Sequence, residues 1–323
     1  MEAEGSPPTF LVLTLALAIS LTVFVPLTGA LVRLRANYNP KGLQLDPEGS
    51  AVPHTGPVIR SYFAMLLRVY RLEGWPGLYK GLMPTALSTL FISLIILLFL
   101  DTDQPRHGKY RAPETGILGT LFYSLAMLVV SLPTAVITYR SIVTPYKLPY
   151  LNPMPAVRVL LTPTERRRPW ILYLTPGLMA AEVAHIFLVA VFLSPLRRLL
   201  LPSIMKPNVT LSDFSVVKLV IYMIVLCLSV LILTPLEVIA TRLAVQRNHA
   251  SPEYNSVAQE VDGDAENVPD YGNDEDVIGL RDEGDPYTGL VECAKRIIDE
   301  EGLMALYRAW WITLLGSVGS AFA

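Results

Sequence analysis

The sequence is poor in charged residues. Asp, Glu, Lys and Arg make up 17% of its 323 residues, whereas 52% are hydrophobic. Soluble domains carry about 25% charged residues, so the composition argues against an ordinary soluble protein. The apolar residues gather in long runs with little charge. These runs are Thr9–Val32, Gly81–Leu100, Thr115–Tyr139, Leu219–Leu236 and Pro169–Leu196, the last interrupted only by Glu182 and His185.

Sequence features of enzymes and secreted proteins are also scarce. The two cysteines, Cys227 and Cys293, provide no disulfide framework. There is no Cys/His metal cluster, no glycine-rich phosphate loop after a strand, and no Ser-His-acid set, so we expect neither an enzyme nor a bound cofactor or metal. Nothing predicts a nucleic-acid partner. Met1–Pro8 has no basic residue before the first apolar run, so we expect no cleavable presequence.

The apolar runs are long enough to cross a membrane as helices. A bilayer core needs about 20 apolar residues in helical form, and five runs reach that length. The last run, Ala309–Ala323, would span only about 22 Å as a helix, so we expect a short sixth helix. The runs are continuous, unlike the alternating segments of a membrane β-barrel. They predict an all-α membrane protein.

One pattern occurs three times: a proline followed seven residues later by an arginine. The copies are Pro26 and Arg33, Pro133 and Arg140, and Pro235 and Arg242. Their spacing predicts a threefold repeat of about a hundred residues. We expect a single six-helix bundle of three pseudo-repeats, residues 1–101, 102–201 and 202–323, each with two membrane helices and a surface helix. The prolines are expected to kink their helices.

The polar connections fall into two kinds. Those after the first, third and fifth spans carry most of the arginines and contain the amphipathic segments expected to form surface helices. The bias toward basic residues assigns these connections to the inner compartment. The last of them contains an insert, about residues 248–286, with twelve acids between Glu253 and Asp285. We expect a disordered surface loop there, and it could also bind a protein partner.

Glu182 is the most informative single residue, because a carboxylate within a membrane span usually faces a cavity or a partner. His185 lies one turn further along the same helix face. One interpretation is a cavity site for a polar or cationic solute, with proton coupling as an option. The other is a hydrogen bond between Glu182 and His185 that only packs helices. The sequence leaves both open.

Several motifs together resemble the mitochondrial carrier family. Residues 235–242 (PLEVIATR) are similar to its Pro-x-acid-x-x-base-x-Arg signature, with Ala240 at the position of the base. Residues 73–81 and 301–309 resemble its acid-Gly…aromatic-base-Gly signature, with Ala309 as the last residue. The chain is identified as a divergent, fungal-type member, and the resemblance covers the chain outside the acidic insert.

The resemblance implies a gate and hinges. In the family, acids and bases of the three signatures pair to close an inner gate, and the kink prolines serve as hinges beside the arginines. Here the first two copies have neutral residues at those positions: Thr28, Leu31, Ala135 and Thr138. Only Glu237 remains, and Leu31 stands where its partner would be. We therefore expect Glu237 to reach water, Arg33 or a hydroxyl. On the outer side, one pair is available, Asp101 with Arg198.

The resemblance also implies binding sites. Substrate contacts would correspond to Ser88, Glu182, Val183 and Gly316, with His185 beside them. The helix-start residues Tyr79, Lys80, Gly81, Tyr307 and Arg308 resemble a cardiolipin site, although interfacial anchoring explains them equally well. Two functions stay open. One is a transporter of a small polar solute by alternating access. The other is a non-transporting adaptor of the mitochondrial outer membrane in membrane organisation or fusion. The inner membrane is preferred to the outer.

Overall fold

The computed structural model describes residues 7–41, 44–45, 51–52, 57–99, 116–149, 152–202, 215–249, 271 and 275–322. Predicted repeat 1 contains α1 (Pro7–Ala36), α2 (Tyr62–Leu78) and α3 (Leu82–Phe99). Between α1 and α2, the two-residue strand β1 (Gln44–Leu45) pairs antiparallel with β2 (Ala51–Val52). Predicted repeat 1 thus has two apolar helices with a surface helix between them.

Predicted repeats 2 and 3 show related sequences of helices. In repeat 2 they are α4 (Ile117–Val143), α5 (Pro153–Leu160), α6 (Pro163–Arg167), a 3₁₀ helix (Pro169–Leu174), α7 (Leu178–Phe187), a π-helical stretch (Leu188–Leu193) and α8 (Ser194–Leu200). In repeat 3 they are α9 (Val216–Val245), α10 (Leu290–Glu300), a 3₁₀ helix (Leu303–Tyr307) and α11 (Trp310–Phe322).

Within the residues that the structure describes, four helices are long and apolar enough to cross a membrane. They are Thr14–Ala36, Ile117–Val143, Leu178–Leu200 and Val216–Val245. A shorter apolar helix, Leu82–Leu94, lies where the second span is expected. α11 has 13 residues. The described part of the chain is therefore helical apart from the small strand pair, as in an all-α membrane protein.

The fourth span begins later than the sequence indicates. The expected span over residues 169–196 starts as a 3₁₀ helix, and the long helix begins only at Leu178. Gly177 precedes it with a φ of 82°. A Cβ on Gly177 would lie 2.2 Å from the backbone nitrogen of Leu290. The close approach of α10 and the left-handed backbone both require glycine here, and the helix starts after it.

The three helices that carry Pro26, Pro133 and Pro235 form the centre of the bundle. α1, α4 and α9 each contact the other two, and α7 packs along α9. Pro26, Pro133 and Pro235 lie inside these helices. One buried cluster joins α4, α7, α9 and α10, and another joins α1 and α2 with the end of α4. The ends of the three helices carrying Arg33, Arg140 and Arg242 lie together, and we call this end of the bundle the basic end.

Part of the acidic insert differs from the expectation. Residues 275–285, which we call the strap, pack against the basic end rather than forming a solvated loop. Ile278 is buried in the cluster of α1 and α2, and Arg281 pairs with Glu300 of α10. Val277 and Ile278 supply this apolar packing, which the acidic composition of the insert does not predict. The rest of the insert, apart from residue 271 and its first and last few residues, lies outside the described residues.

Candidate functional site

Each arginine of the Pro-Arg pattern pairs with a buried glutamate from the surface segment that follows it. The pairs are Arg33 with Glu73 (2.7 Å), Arg140 with Glu165 (2.6 and 2.9 Å) and Arg242 with Glu301. Arg140 binds both carboxylate oxygens of Glu165, and Arg242 does the same with Glu301. Such bidentate pairs fix the geometry as well as the charge. The arginines thus hold each surface segment to its own long helix.

Two of these arginines, Arg140 and Arg242, also bind helices of other predicted repeats. Arg140 donates to the carbonyls of Ala244 (3.2 Å) and Gln246 (2.5 Å) at the end of α9. Arg242 donates to the carbonyls of Arg35 and Asn37 at the end of α1, both at 3.1 Å. The last carbonyls of a helix lack intrahelical partners and attract cations. These bonds therefore tie the ends of the long helices together at the basic end.

Glu165 was not recognised as the acid of repeat 2 from the sequence. In repeats 1 and 3 the acid precedes the motif tyrosine by six residues, whereas Glu165 precedes Tyr173 by eight. The detectable signal was the Thr-x-x-Glu capping box at Thr162, which the structure contains. Burial alone would raise the pKa of Glu165, but its hydrogen bonds and ion pair with Arg140 hold that pKa below its ordinary value.

A tyrosine hydroxyl in each repeat donates to a backbone carbonyl of the long helix. The pairs are Tyr79 with Thr22 (3.2 Å), Tyr173 with Val129 (2.7 Å) and Tyr307 with Leu231 (3.2 Å). Each carbonyl lies four residues before the helix proline. A proline has no N–H to offer that carbonyl, and an unsatisfied carbonyl is costly in a membrane. The tyrosines therefore supply the missing donors.

Lys80 and Arg308, the basic residues of the two helix-start motifs, do not face outward toward lipid headgroups. Lys80 is 6% exposed, and it binds Glu73 and donates to the carbonyl of Thr144 at 2.7 Å. Arg308 binds Glu301 and the backbone at the end of α1. Buried acids draw both cations inward. This corrects the expectation that Lys80 and Arg308 contact cardiolipin. Gly81 starts α3 with a φ of 86°, and its backbone stays available for that role.

A polar cluster lies at the centre of the bundle. Arg35 Nη2 of α1 lies 2.6 Å from Glu237 Oε2 of α9. Thr313 of α11 donates its hydroxyl to the same carboxylate oxygen at 2.6 Å and accepts from Arg35 at 2.8 Å. His185 Nε2 of α7 lies 3.6 Å from Glu237 Oε1. All three predicted repeats contribute to this cluster.

Glu237 contacts a hydroxyl, as expected, but its charged partner differs from the expected one. Its partner is Arg35, rather than Arg33, while the expected hydroxyl is that of Thr313. Leu31 and Arg35 are four residues apart and share one helix face. The base has therefore moved one turn along α1, and an ion pair between repeats 1 and 3 still forms.

Glu182 lies beside this cluster on α7. It is half-buried, and within the described part of the chain it forms no hydrogen bond or ion pair, although His185 and Glu237 are near enough to influence its charge. The expected hydrogen bond between Glu182 and His185 is not present, because the His185 ring contacts Glu237 instead. The Glu182 carboxylate is therefore available to bind a cationic group or a proton.

The other expected contact positions differ in character. Ser88 donates its hydroxyl to the Pro84 carbonyl of its own helix at 2.6 Å. Val183 is 37% exposed. Gly316 is exposed, and a Cβ there would meet nothing within 4 Å. Glu182 and His185 therefore offer the polar contacts that these positions do not.

At the opposite end, Asp101, the expected partner of Arg198, lies outside the described residues. The Nε of Arg198 is buried without a partner among the described side chains. Its neighbour Arg197 donates to the carbonyls of Ser320 and Ala321, both at 3.1 Å. Arg197 thus fastens the end of α11 to α8. In the ranges described, no group of His, Cys, Asp and Glu side chains could hold a metal ion.

Comparison with known protein families gives a match over the C-terminal third of the chain. Residues 212–323, which cover α9 to α11 and the insert between them, match a family described as mitochondrial carrier protein. No curated protein matches the chain.

Proposed function

We propose that the chain is a mitochondrial-carrier-like solute transporter working by alternating access, a proposal that the match of residues 212–323 to the mitochondrial carrier family supports. The family implies a mitochondrial membrane protein, and its members are transporters rather than enzymes. We propose the inner membrane as its location.

The observation that carries the proposal is the unpaired Glu182 beside the Arg35–Glu237 pair. An ionisable group within membrane helices is costly and usually functional. Arg35 and Glu237 neutralise each other. The cluster therefore has a net negative charge when Glu182 is ionised and His185 is neutral. This charge favours a small polar solute with a cationic group, and His185 could exchange a proton with it.

The contacts at the basic end support a gating role. Opening that end requires α1 and α9 to separate, which breaks the Arg35–Glu237 pair and the bonds from Arg242 to α1. We propose that Pro26, Pro133 and Pro235 are the hinges of this movement, and that Arg33, Arg140 and Arg242 keep each surface segment attached to its moving helix. Arg198 would act at the opposite end, with Asp101 as its partner.

Anionic lipid is a second ligand in the proposal. Because Lys80 and Arg308 are bound to glutamates, the backbone N–H groups at the starts of α3 and α11 would hold a cardiolipin phosphate, as helix N-termini do. Tyr79 and Tyr307 would flank it with their rings while their hydroxyls bind the long helices.

The test is uptake into liposomes. The purified protein is reconstituted and offered a panel of radiolabelled cationic, zwitterionic and anionic solutes. Specific uptake of a cationic solute by the wild type, abolished in Glu182→Gln, supports the proposal. Asp299→Asn is the matched control, since Asp299 is an exposed acid on α10, and it should transport like the wild type. Equal uptake by Glu182→Gln and wild type contradicts the role of Glu182.

A second function is favoured by the strap, which binds the end of α1 and α2 at the basic end. A carrier fold fastened in this way could serve as a membrane adaptor that does not transport, with the acidic insert as a surface for a protein partner. No uptake across the whole panel, together with a defined partner that co-purifies through the insert, would support the adaptor over the transporter.

A further inference from the structure

The strap connects predicted repeat 3 to predicted repeat 1 through its backbone. The carbonyl of Gly279 accepts from the Tyr38 N–H at 2.8 Å, and the N–H of Gly279 donates to Asn37 Oδ1 at 3.0 Å. Arg68 of α2 donates to the carbonyls of Val277 (3.2 Å) and Asp276 (2.9 Å). The strap is therefore bound to the end of α1 and to α2.

Apolar packing reinforces these bonds. Ile278 is 6% exposed and belongs to a buried cluster with residues of α1 and α2 and with Ile142 and Val143 at the end of α4. Behind the strap is a cavity of about 300 Å³, lined by strap residues and by Arg33, Glu73 and Val143. The strap thus covers part of the basic end and lines a partly open cavity beside it.

Arg281 fixes the other side of the strap. Its guanidinium lies 5.6 Å from the ring centre of Tyr38 and 4.8 Å from that of Tyr287. It donates to Glu300 Oε2 at 2.5 Å, and the Tyr38 hydroxyl donates to the same oxygen at 2.8 Å. Stacked, paired arginines are well held. Arg281 therefore fastens the end of α1 to α10.

These contacts oppose the movement that transport requires. The basic end opens only if the ends of α1 and α9 separate, and the strap is covalently part of repeat 3 while it binds repeat 1. We propose that the strap is an inhibitory latch, and that the basic end opens only after the strap leaves α1 and α2. This inference rests on the proposed transport function.

The first test weakens the strap. The variant Ile278→Ala with Arg281→Gln removes its buried side chain and its stacked cation. The matched control is Ile298→Ala with Lys295→Gln, both exposed positions on α10. A reporter, Ala36→Cys, is buried in the same cluster as Ile278. A water-soluble maleimide should label the reporter several-fold faster in the weakened variant than in the control.

The second test locks the strap. Arg68→Cys with Asp276→Cys is joined by a short bis-maleimide, and mass spectrometry confirms the link between the two peptides. Native Cys293 is buried, and Cys227, which is exposed on α9, is replaced by serine in this test, so the introduced pair is the target. Linked protein should lose solute uptake that the unlinked protein retains. Equal uptake by linked and unlinked protein would overturn the latch.

The outcomes separate the latch from the transport proposal. Faster labelling with faster uptake supports both. Faster labelling without uptake in any variant keeps the latch and removes the transport function. Unchanged labelling in a weakened variant that keeps the wild-type unfolding temperature removes the latch. If the weakened variant unfolds, the cross-linked protein tests the latch instead. Its solute uptake is then measured, or the labelling of Ala36→Cys where no uptake is measurable.

Discussion

Arg35 lies 2.6 Å from Glu237 and joins α1 to α9 at the centre of the bundle. Thr313 donates to the same carboxylate oxygen, so one atom connects three helices. Both charged groups lie in helices that are apolar enough to span a membrane. Neither can lose the other without leaving a charge in apolar surroundings, and the pair therefore stabilises the packing of α1 against α9.

A double-mutant cycle should detect this coupling. Arg35→Met and Glu237→Leu should each lower the free energy of unfolding by about 3–5 kcal/mol, because each leaves a buried charge unpaired. The double variant should lose less than the sum, with a coupling energy of about 0.5–3 kcal/mol. Denaturant unfolding in detergent measures it. A cycle of Arg35→Met with Glu182→Leu is the control, and equal coupling in both cycles would show that Glu237 is not the specific partner.

The three tyrosine hydroxyls should each stabilise their proline-containing helix. Tyr79→Phe, Tyr173→Phe and Tyr307→Phe each remove a hydrogen bond worth about 0.5–1.5 kcal/mol. The sites lie in different repeats, so the losses should add in the triple variant. Tyr70→Phe is the control, because the Tyr70 ring packs on Trp75 and no hydrogen bond of its hydroxyl is found in the described structure. A similar loss in Tyr70→Phe would argue against the carbonyl bonds as the cause.

The sequence predicted features that depend on local spacing. The Pro-Arg pattern located α1, α4 and α9 because both residues lie in one helix. It did not identify the partners. Arg33 and Arg35 are two residues apart and project to nearly opposite faces of α1. Arg33 therefore meets Glu73 of its own repeat, while Arg35 meets Glu237 of another. Only the packing of helices distant in sequence reveals the second contact.

Composition was a poor guide to the acidic insert. Its many acids and few apolar residues indicate disorder, and an average over the insert conceals residues 277–278. Those two residues, with Arg281, meet a surface built from α1, α2 and α10. A short apolar pair in a polar segment has no pattern that sequence periodicity could detect. Its role depends on a surface that exists only after the long helices have assembled.

Cys293 should be inert in the folded protein. It is fully buried, and burial raises the pKa of its thiol to about 12, with Arg242 acting in the opposite direction. The thiol therefore stays protonated and shielded at neutral pH, and thiolate is the reactive form. A water-soluble maleimide should label Cys293 only after unfolding, as quantified by peptide mass spectrometry. Labelling of native Cys293 at the rate of a free thiol would contradict the packing around α10.

The buried glutamates of the surface segments should make the fold sensitive to acid. Burial alone would raise the pKa of Glu301, but hydrogen bonds and charge from Arg242, and charge from Arg308, lower it below the ordinary value. Glu165 behaves alike beside Arg140. Their stabilisation is complete above the unfolded-state pKa of about 4.3. It is lost as the pH falls from there through the lower folded-state pKa.

We therefore expect the unfolding temperature in detergent to decrease when the pH is lowered past about 4.3. Near neutral pH, Glu165 and Glu301 should contribute no pH dependence to the unfolding temperature. Glu301→Gln should be less stable than the wild type at pH 7, since Arg242 loses its buried partner. Its unfolding temperature should also fall less on acidification, because one titrating group is gone. Asp299→Asn is the exposed control and should keep the wild-type slope. If Glu301→Gln keeps that slope as well, the carboxylate of Glu301 does not stabilise the fold through its charge on Arg242.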